Sequence, residues 1–187
     1  MQGRLNNYLD VWARLATMSA GDNRGSWFLP DPDDEVLVAF EHGDMRMPFV
    51  IGALWNGHDS PPESMRPGNN KKVLRSRNGL KIEMDDKDGT ETLRLETPGG
   101  QSLVLKDGPG TIKITDSNGN KVEFRASGIT VDASAKVIVN ASSIEISAGM
   151  LTVNAGLSKF SGTIKADTVI TNSVISSSYT PGEGNIW

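Results

Sequence analysis

From residue 80 onward, apolar side chains recur in pairs that stand two residues apart, and small polar residues and glycines separate one pair from the next. Because successive side chains of a β-strand point to opposite faces, each pair indicates one face of a short strand. The pairs are Leu80/Ile82, Leu93/Leu95, Leu103/Leu105, Ile112/Ile114, Val122/Phe124, Ile129/Val131, Val137/Val139, Ile144/Ile146 and Leu151/Val153. The pattern predicts a ladder of β-strands without helices.

The ladder tightens along the chain, since the first members of successive pairs stand 13 residues apart at the start and 7 at the end. Turn-forming dipeptides such as Asn78-Gly79 and Asn118-Gly119 separate the early strands. A short repeating period is typical of fibres and solenoids. Each strand offers only two inward apolar residues, and exposing them to water costs about 25 cal/mol per Å². Either further coils of the same chain or other copies of it must therefore cover the apolar face, and the spacing alone does not choose between them.

The first 60 residues follow a different pattern. Their apolar-rich runs predict four short strands, separated in one place by a hairpin turn at 41–44. The strands are expected at 9–15, 26–30, 35–40 and 48–55. Four or five short strands in so few residues indicate a small β-barrel at 1–60. A stretch rich in Pro and Gly follows, which predicts a linker at 61–71 and a repeating β-domain at 72–187.

Composition removes several classes of protein. The chain of 187 residues has no cysteine, which excludes disulfides and thiolate metal sites. Its net charge is −4, so no overall positive field favours nucleic acid. No apolar run approaches the roughly 20 residues of a membrane-spanning helix, and the first residues do not form a signal peptide. We therefore expect synthesis in the cytosol.

The segment 24–62 resembles the OB-fold domain of contractile-injection spike proteins, a family that includes the VgrG proteins of type VI secretion and phage baseplate spikes. The matching residues are Trp27, Phe28, Pro30, the run Asp34 to Val38, Phe40, Gly43, Asp44, Pro48, Gly52, Leu54, Asn56, Gly57, Pro61 and Pro62. The chain departs from the family pattern at Asp33, where Gly is usual, and at Asn6-Asn7, which shorten the first barrel strand.

The resemblance implies an all-β protein in which the OB-fold barrel precedes an intertwined, trimeric, triple-stranded β-helix. It implies a structural cell-puncturing spike rather than an enzyme, with no cofactor or metal. The expected trimer core consists of Ile129, Val131, Val137, Val139, Ile144, Ile146, Leu151 and Val153. The implied partners are two further copies of the chain, baseplate hub and inner tube proteins at the N-terminal end, and a PAAR-type tip protein at the C-terminal end. The spike would be assembled in the cytoplasm, become part of a virion or secreted particle, and pierce a target envelope.

The end of the chain is the expected binding site for the tip protein. The apolar signal weakens after Phe160, and Pro181, Gly182 and Gly184 break the strand pattern. A stack of strands exposes unpaired backbone groups at its last layer, which either the three chain ends with their Trp187 rings or a separate tip protein can cover, and the family resemblance favours the tip protein. The residues predicted to bind it are Tyr179, Pro181, Asn185, Ile186 and Trp187.

Other functions are weighed against this interpretation. Glu83, Asp85, Asp86 and Asp88 could bind calcium or serve glycoside hydrolysis, but among lysines we expect them to form a solvated turn. His42 and His58 are expected to be solvated loop residues.

An OB-fold can bind single-stranded nucleic acid, and a β-helix can bind or process carbohydrate. The first needs a basic groove with exposed aromatic rings, whereas the tryptophans are predicted to lie in the core. The second needs paired carboxylates, which are sparse after residue 126.

Overall fold

The computed structural model describes residues 12–178. The chain divides after Ile138 into two compact units. The first unit contains β1 (Arg14–Leu15), β2 (Ala20–Gly21), β3 (Arg24–Gly25), β4 (Val36–Phe40), β5 (Pro48–Ala53), β6 (Lys71–Arg75), β7 (Lys81–Asp85), β8 (Thr92–Glu96), β9 (Ser102–Lys106), β10 (Thr111–Thr115), β11 (Lys121–Arg125) and β12 (Gly128–Asp132). A single 3₁₀ turn, Glu41–Gly43, is the only helical element within 12–178, so the described chain is all-β.

The N-terminal strands form a three-stranded sheet in the order β1-β5-β4, and β2 pairs with β3 as a separate hairpin. Strands β4 and β5 pair antiparallel with an irregularity between Leu37 and Val38, while β1 pairs parallel to β5. The predicted strands at 35–40 and 48–55 and the turn between them are confirmed. That turn reverses the chain through positive φ angles at His42 (47°) and Gly43 (77°).

One strand prediction in this region is wrong, and another is confirmed only in part. No strand forms at 26–30, and of the described part of 9–15 only Arg14 and Leu15 are in a strand. The apolar run at 26–30 lies in coil and ends at Pro30, which has no N–H group to donate to a sheet. A short apolar run therefore does not by itself specify a strand.

Strands β6 to β12 form a seven-stranded antiparallel sheet in which the strand order follows the chain order. Every strand has five residues, and the hairpins turn through glycines with positive φ, including Gly79 (90°), Gly100 (91°) and Gly119 (87°). The predicted strands from Leu93/Leu95 to Ile129/Val131 are confirmed. The strand around Ile82 is also present, but it begins after Leu80, and β6 was not predicted at all.

Residues 133–178 form no strand. A β-strand needs a hydrogen-bonded neighbour, and none is present for this segment within the described chain. The strands expected at Val137/Val139, Ile144/Ile146 and Leu151/Val153 therefore stay a prediction. Over residues 12–178, no helix has the length and apolar character needed to cross a membrane.

Candidate functional site

The strand registers place the apolar pairs of the large sheet in two straight rows that cross it. Ile82 is opposite Leu95, Leu95 is opposite Leu103, and the same alignment continues across every neighbouring pair of strands. The first row consists of Leu74, Ile82, Leu95, Leu103, Ile114, Val122 and Val131. The second row consists of Lys72, Met84, Leu93, Leu105, Ile112, Phe124 and Ile129. Both rows lie on one face because they are two residues apart on each strand. We call this the apolar face.

The apolar face is uncovered in the single chain. No apolar residue in the described structure is buried, and Leu74, Ile114 and Val131 are 52%, 47% and 58% exposed. A large, continuous apolar surface of this kind indicates a contact surface for another protein chain.

The opposite face of the sheet is polar and is better covered than the apolar face. Its middle row contains Glu83 and Glu123, the two buried charged residues of the described chain, each 8% exposed. Lys71 Nζ lies 3.3 Å from Glu83 Oε1, and Lys81 donates a hydrogen bond to the other carboxylate oxygen. The hydrogen bond from Lys81 is the main reason that the pKa of Glu83 lies below its ordinary value.

Glu123 has a similar environment four strands away. Arg125 donates a hydrogen bond from Nη2 to Glu123 Oε1 at 2.6 Å, which lowers the pKa of that carboxyl, and Lys121 Nζ lies 3.6 Å from Oε2. Lys121 also lies 2.9 Å from Asp132 Oδ2, an interaction that raises the pKa of the lysine. The polar face therefore pairs its own charges, whereas most of the apolar face is uncovered within the first unit.

The residues predicted to form a trimer core are all exposed in the single chain. Ile129 and Val131 lie on β12, at the end of the two apolar rows. The other six follow the sheet and have no strand partner in the described structure. Their exposed fractions range from 60% for Ile144 to 66% for Ile146. Their burial against other copies stays a prediction.

The acidic and histidine side chains considered for catalysis or metal binding lie in different surroundings. Glu83 lies in the middle of β7, not in a solvated turn as predicted, because its side chain pairs with lysines on the polar face. Within residues 12–178, no group of three His, Asp or Glu is arranged to hold a metal ion. His58 Nδ1 lies 3.0 Å from Asp59 Oδ1, a contact that lowers the pKa of Asp59.

The tryptophans are also placed differently from the prediction. Trp12, Trp27 and Trp55 are 98%, 82% and 69% exposed, so the prediction that they form a core is wrong for the single chain. Trp27 lies in a cavity with Arg24, whereas Trp55 lines cavities near Pro61. The tip-binding candidates Tyr179, Pro181, Asn185, Ile186 and Trp187 lie outside the described residues.

Sequence reasoning missed two contributors to the apolar surface, Leu74 and Phe28. Leu74 extends the first row onto β6, but Lys72 occupies the other position of its pair and hides the period-two signal. Phe28 was predicted to lie in a strand and is instead 68% exposed in a coil segment.

Comparisons with known proteins agree with this geometry. Residues 2–55 match the model of the type VI secretion system and phage-baseplate injector OB domain. Residues 92–157, which include β8 to β12, match the model of the phage baseplate V C-terminal trimerisation domain.

The similar curated proteins include type VI secretion system spike proteins of two organisms. VgrG1b and VgrG1a of Pseudomonas aeruginosa are each 27% identical over 110 residues, a match that covers 54% of this chain and 15% and 17% of theirs. VgrG3 of Vibrio cholerae is 28% identical over 100 residues, covering 54% of this chain and 9% of its own length. The chain thus spans less than a fifth of these relatives. With an injector OB domain, a trimerisation domain and spike proteins as relatives, the chain belongs to the family of VgrG and phage-baseplate spike proteins.

Proposed function

We propose that the chain is the structural, cell-puncturing spike of a contractile injection system and that it acts mechanically as a homotrimer. The observation that carries this proposal is the uncovered apolar face. Five of its seven strands fall inside the match to a trimerisation domain. A threefold arrangement allows each copy to cover the apolar face of the next, so that all three faces lose contact with water together.

The second half of the proposed trimer is an intertwined, triple-stranded β-helix. Residues 137–153 continue the apolar pairs at a spacing of seven to eight residues, and no strand neighbour for residues 133–178 is present within the described chain. Backbone N–H and C=O groups need partners when they become buried, and strands from two other copies can supply them. We assign the OB-fold domain to 1–60, the linker to 61–71 and the spike to 72–187.

The proposed mechanism is transmission of force rather than catalysis. A closed arrangement of strands leaves few free sheet edges, and each layer buries apolar side chains from three copies. Such a body can be driven through a target envelope without unfolding. We further propose that hub and inner tube proteins hold the N-terminal end, that a PAAR-type tip protein sits at the other end, and that the particle is assembled in the cytoplasm and then released.

Single-stranded nucleic acid binding is the alternative that the exposed tryptophans favour. A binding groove needs aromatic rings and cations along one path. Trp27 and Trp55 line different cavities. Arg46 forms an ion pair with Asp44, in which Arg46 Nη2 lies 2.7 Å from Asp44 Oδ2. The distribution of these residues supports the spike over a nucleic-acid module.

Light scattering coupled to size-exclusion chromatography tests the proposal. The expected mass is about three times the 20.1 kDa of one chain, unchanged by a single-stranded oligonucleotide. A mass of one chain, or a complex with the oligonucleotide, would contradict the spike. In the injection machine itself, a variant that cannot trimerise should abolish puncture of the target.

A further inference from the structure

Phe28 extends the apolar face from the large sheet to the N-terminal sheet. It lines an open cavity of about 610 Å³ whose other walls include Leu74, Ile82, Leu95 and Leu103 of the first row. It also lines a neighbouring cavity of about 390 Å³ with Ile51 of β5 and, again, Leu74. The apolar surface is therefore continuous from β5, across Phe28, to β6 and the rest of the row.

Hydrogen bonds hold the segment around Phe28 on both sides. Before it, Ser26 N donates to Ser19 O at 2.9 Å, and the Thr17 hydroxyl donates to Ser26 O at 2.8 Å. After it, Asp31 Oδ1 accepts a hydrogen bond from Arg77 Nη1 at 2.7 Å. Arg77 lies in the hairpin between β6 and β7, so this ion pair joins the Phe28 segment directly to the large sheet.

The first row is aliphatic at all seven positions, so its partner must also be apolar at the surface. Leu95, Leu103, Ile114, Val122 and Val131 lie inside the match to a trimerisation domain. Leu74, Ile82 and Phe28 lie outside it, yet Leu74 is in register with Ile82 in the same row, and Phe28 lines one cavity with both. Because this surface is apolar and continuous with the part that matches a trimerisation domain, it is best covered by the same partner as that part.

We propose that Phe28 and the β6–β7 part of the apolar face dock against a second copy of this chain. The interface of the spike then begins on the OB-fold domain and is wider than residues 92–157. This inference rests on the proposed trimer and adds a specific anchor to it. An exposed aromatic ring held between fixed points loses little conformational entropy on docking, which is typical of residues that dominate an interface.

The first test measures trimer dissociation by analytical ultracentrifugation for Phe28→Ser, with Trp27→Ser as the matched control. Trp27 is an adjacent exposed aromatic residue, but it lines a different cavity. Phe28→Ser should raise the protein concentration at which the trimer dissociates by about tenfold or more. Trp27→Ser should leave it within about twofold of the unchanged chain.

The absence of cysteine allows a second test that does not depend on how well Phe28→Ser folds. Phe28→Cys and Trp27→Cys each introduce one thiol, whose rate of reaction with a maleimide reports its exposure. At protein concentrations that favour the trimer, the thiol at position 28 should react at least about tenfold more slowly than in a dilute sample, in which the trimer has dissociated. The reaction rate of the thiol at position 27 should be the same in both samples.

Ile114→Asp separates the two proposals. It lies in the middle of the first row and should prevent trimer formation if the apolar face is used at all. This inference would be overturned, and the proposed function kept, by the following combination of results. Ile114→Asp abolishes the trimer, Phe28→Ser has no effect on it, and the thiols at positions 27 and 28 react equally. A wild-type chain that stays monomeric would overturn both.

Discussion

Glu83 and Glu123 occupy the same row of the polar face on strands β7 and β11, with Arg94, Val104 and Lys113 between them in register. An Asn-Gly turn precedes each glutamate in sequence, and a lysine stands two residues before it. Each carboxylate is also contacted by two cationic side chains. The two sites are 40 residues apart in sequence and chemically similar, although the second cation is Lys71 of the neighbouring strand for Glu83 and Arg125 of the same strand for Glu123. The polar face therefore buries a carboxylate between two cations at two places.

Acid should destabilise the sheet through these two carboxylates. The pKa of both Glu83 and Glu123 is lower in the folded chain than the ordinary value of about 4.3. Their contribution to the free energy of unfolding is therefore complete above about pH 4.3 and is lost as the pH falls through the lowered pKa. Urea unfolding followed by circular dichroism should show a midpoint that decreases from about pH 5 to about pH 3.

The double variant Glu83→Gln/Glu123→Gln should be less stable at neutral pH and should lose much of this acid dependence. Glu145→Gln is the matched control, because that side chain makes no ion pair in the part of the chain that the structure describes. An acid dependence that survives intact in the double variant would assign it to other carboxylates.

Ile144→Asp should prevent assembly of the spike. If Ile144 lies in the trimer core, the substitution brings three carboxylates together in an apolar interior, where unpaired charge is strongly unfavourable. Light scattering should then give a mass near 20.1 kDa instead of three times that value.

The neighbouring substitution Glu145→Lys is the control for this prediction. Adjacent residues of a strand point to opposite faces, so Glu145 should remain in solvent and its replacement should leave the trimer unchanged. Equal effects of Ile144→Asp and Glu145→Lys would show that the strand faces are assigned incorrectly.

Gly119→Ala should destabilise the hairpin between β10 and β11. Gly119 has a φ of 87°, and an added Cβ would have no atom within 4 Å, so the cost is backbone strain rather than a clash. We expect a loss of about 1–2 kcal/mol in the free energy of unfolding. Gly57→Ala, which also has open space but a φ outside the left-handed region, should have a smaller effect on the same urea midpoint.

Deletion of residues 181–187 tests the proposed tip site. The truncated chain should retain its trimeric mass in light scattering but should fail to retain a PAAR-type tip protein in a pull-down. Normal retention of the tip protein by the truncated trimer would show that Pro181, Asn185, Ile186 and Trp187 do not form its binding site.

The large sheet could be predicted well from the sequence because its two signals, the apolar pairs and the turn glycines, are local. Pairs such as Leu103/Leu105 define strand faces, and glycines such as Gly119 define the turns, so neither depends on distant parts of the chain. Reliance on local patterns also explains two errors. Strand β6 was missed because Lys72 interrupts its apolar pair. A strand was wrongly predicted at 26–30 because Phe28 is apolar without being in a sheet.

The candidate site was harder to predict because its partners are not local. Period-two spacing shows that Ile114 has an apolar face, but only the register shows that it continues the row from Leu74 to Val131. The position of Phe28 against that row depends on contacts between segments far apart in sequence, including the pair Asp31–Arg77. No pattern within a short window contains that information.

The chain-ordered sheet also responds differently to thrust and to tension. Its seven strands are separated by about 4.8 Å each, so about 29 Å lie between β6 and β12, and the hydrogen bonds run along that direction. A load that pulls Lys71 away from Asp132 acts on one edge ladder at a time and peels the strands off in sequence. A load that pushes these two ends together compresses every ladder at once and has no weakest strand to remove. If the proposed spike is driven along this direction, its strand ladders are loaded in the sense that they resist best.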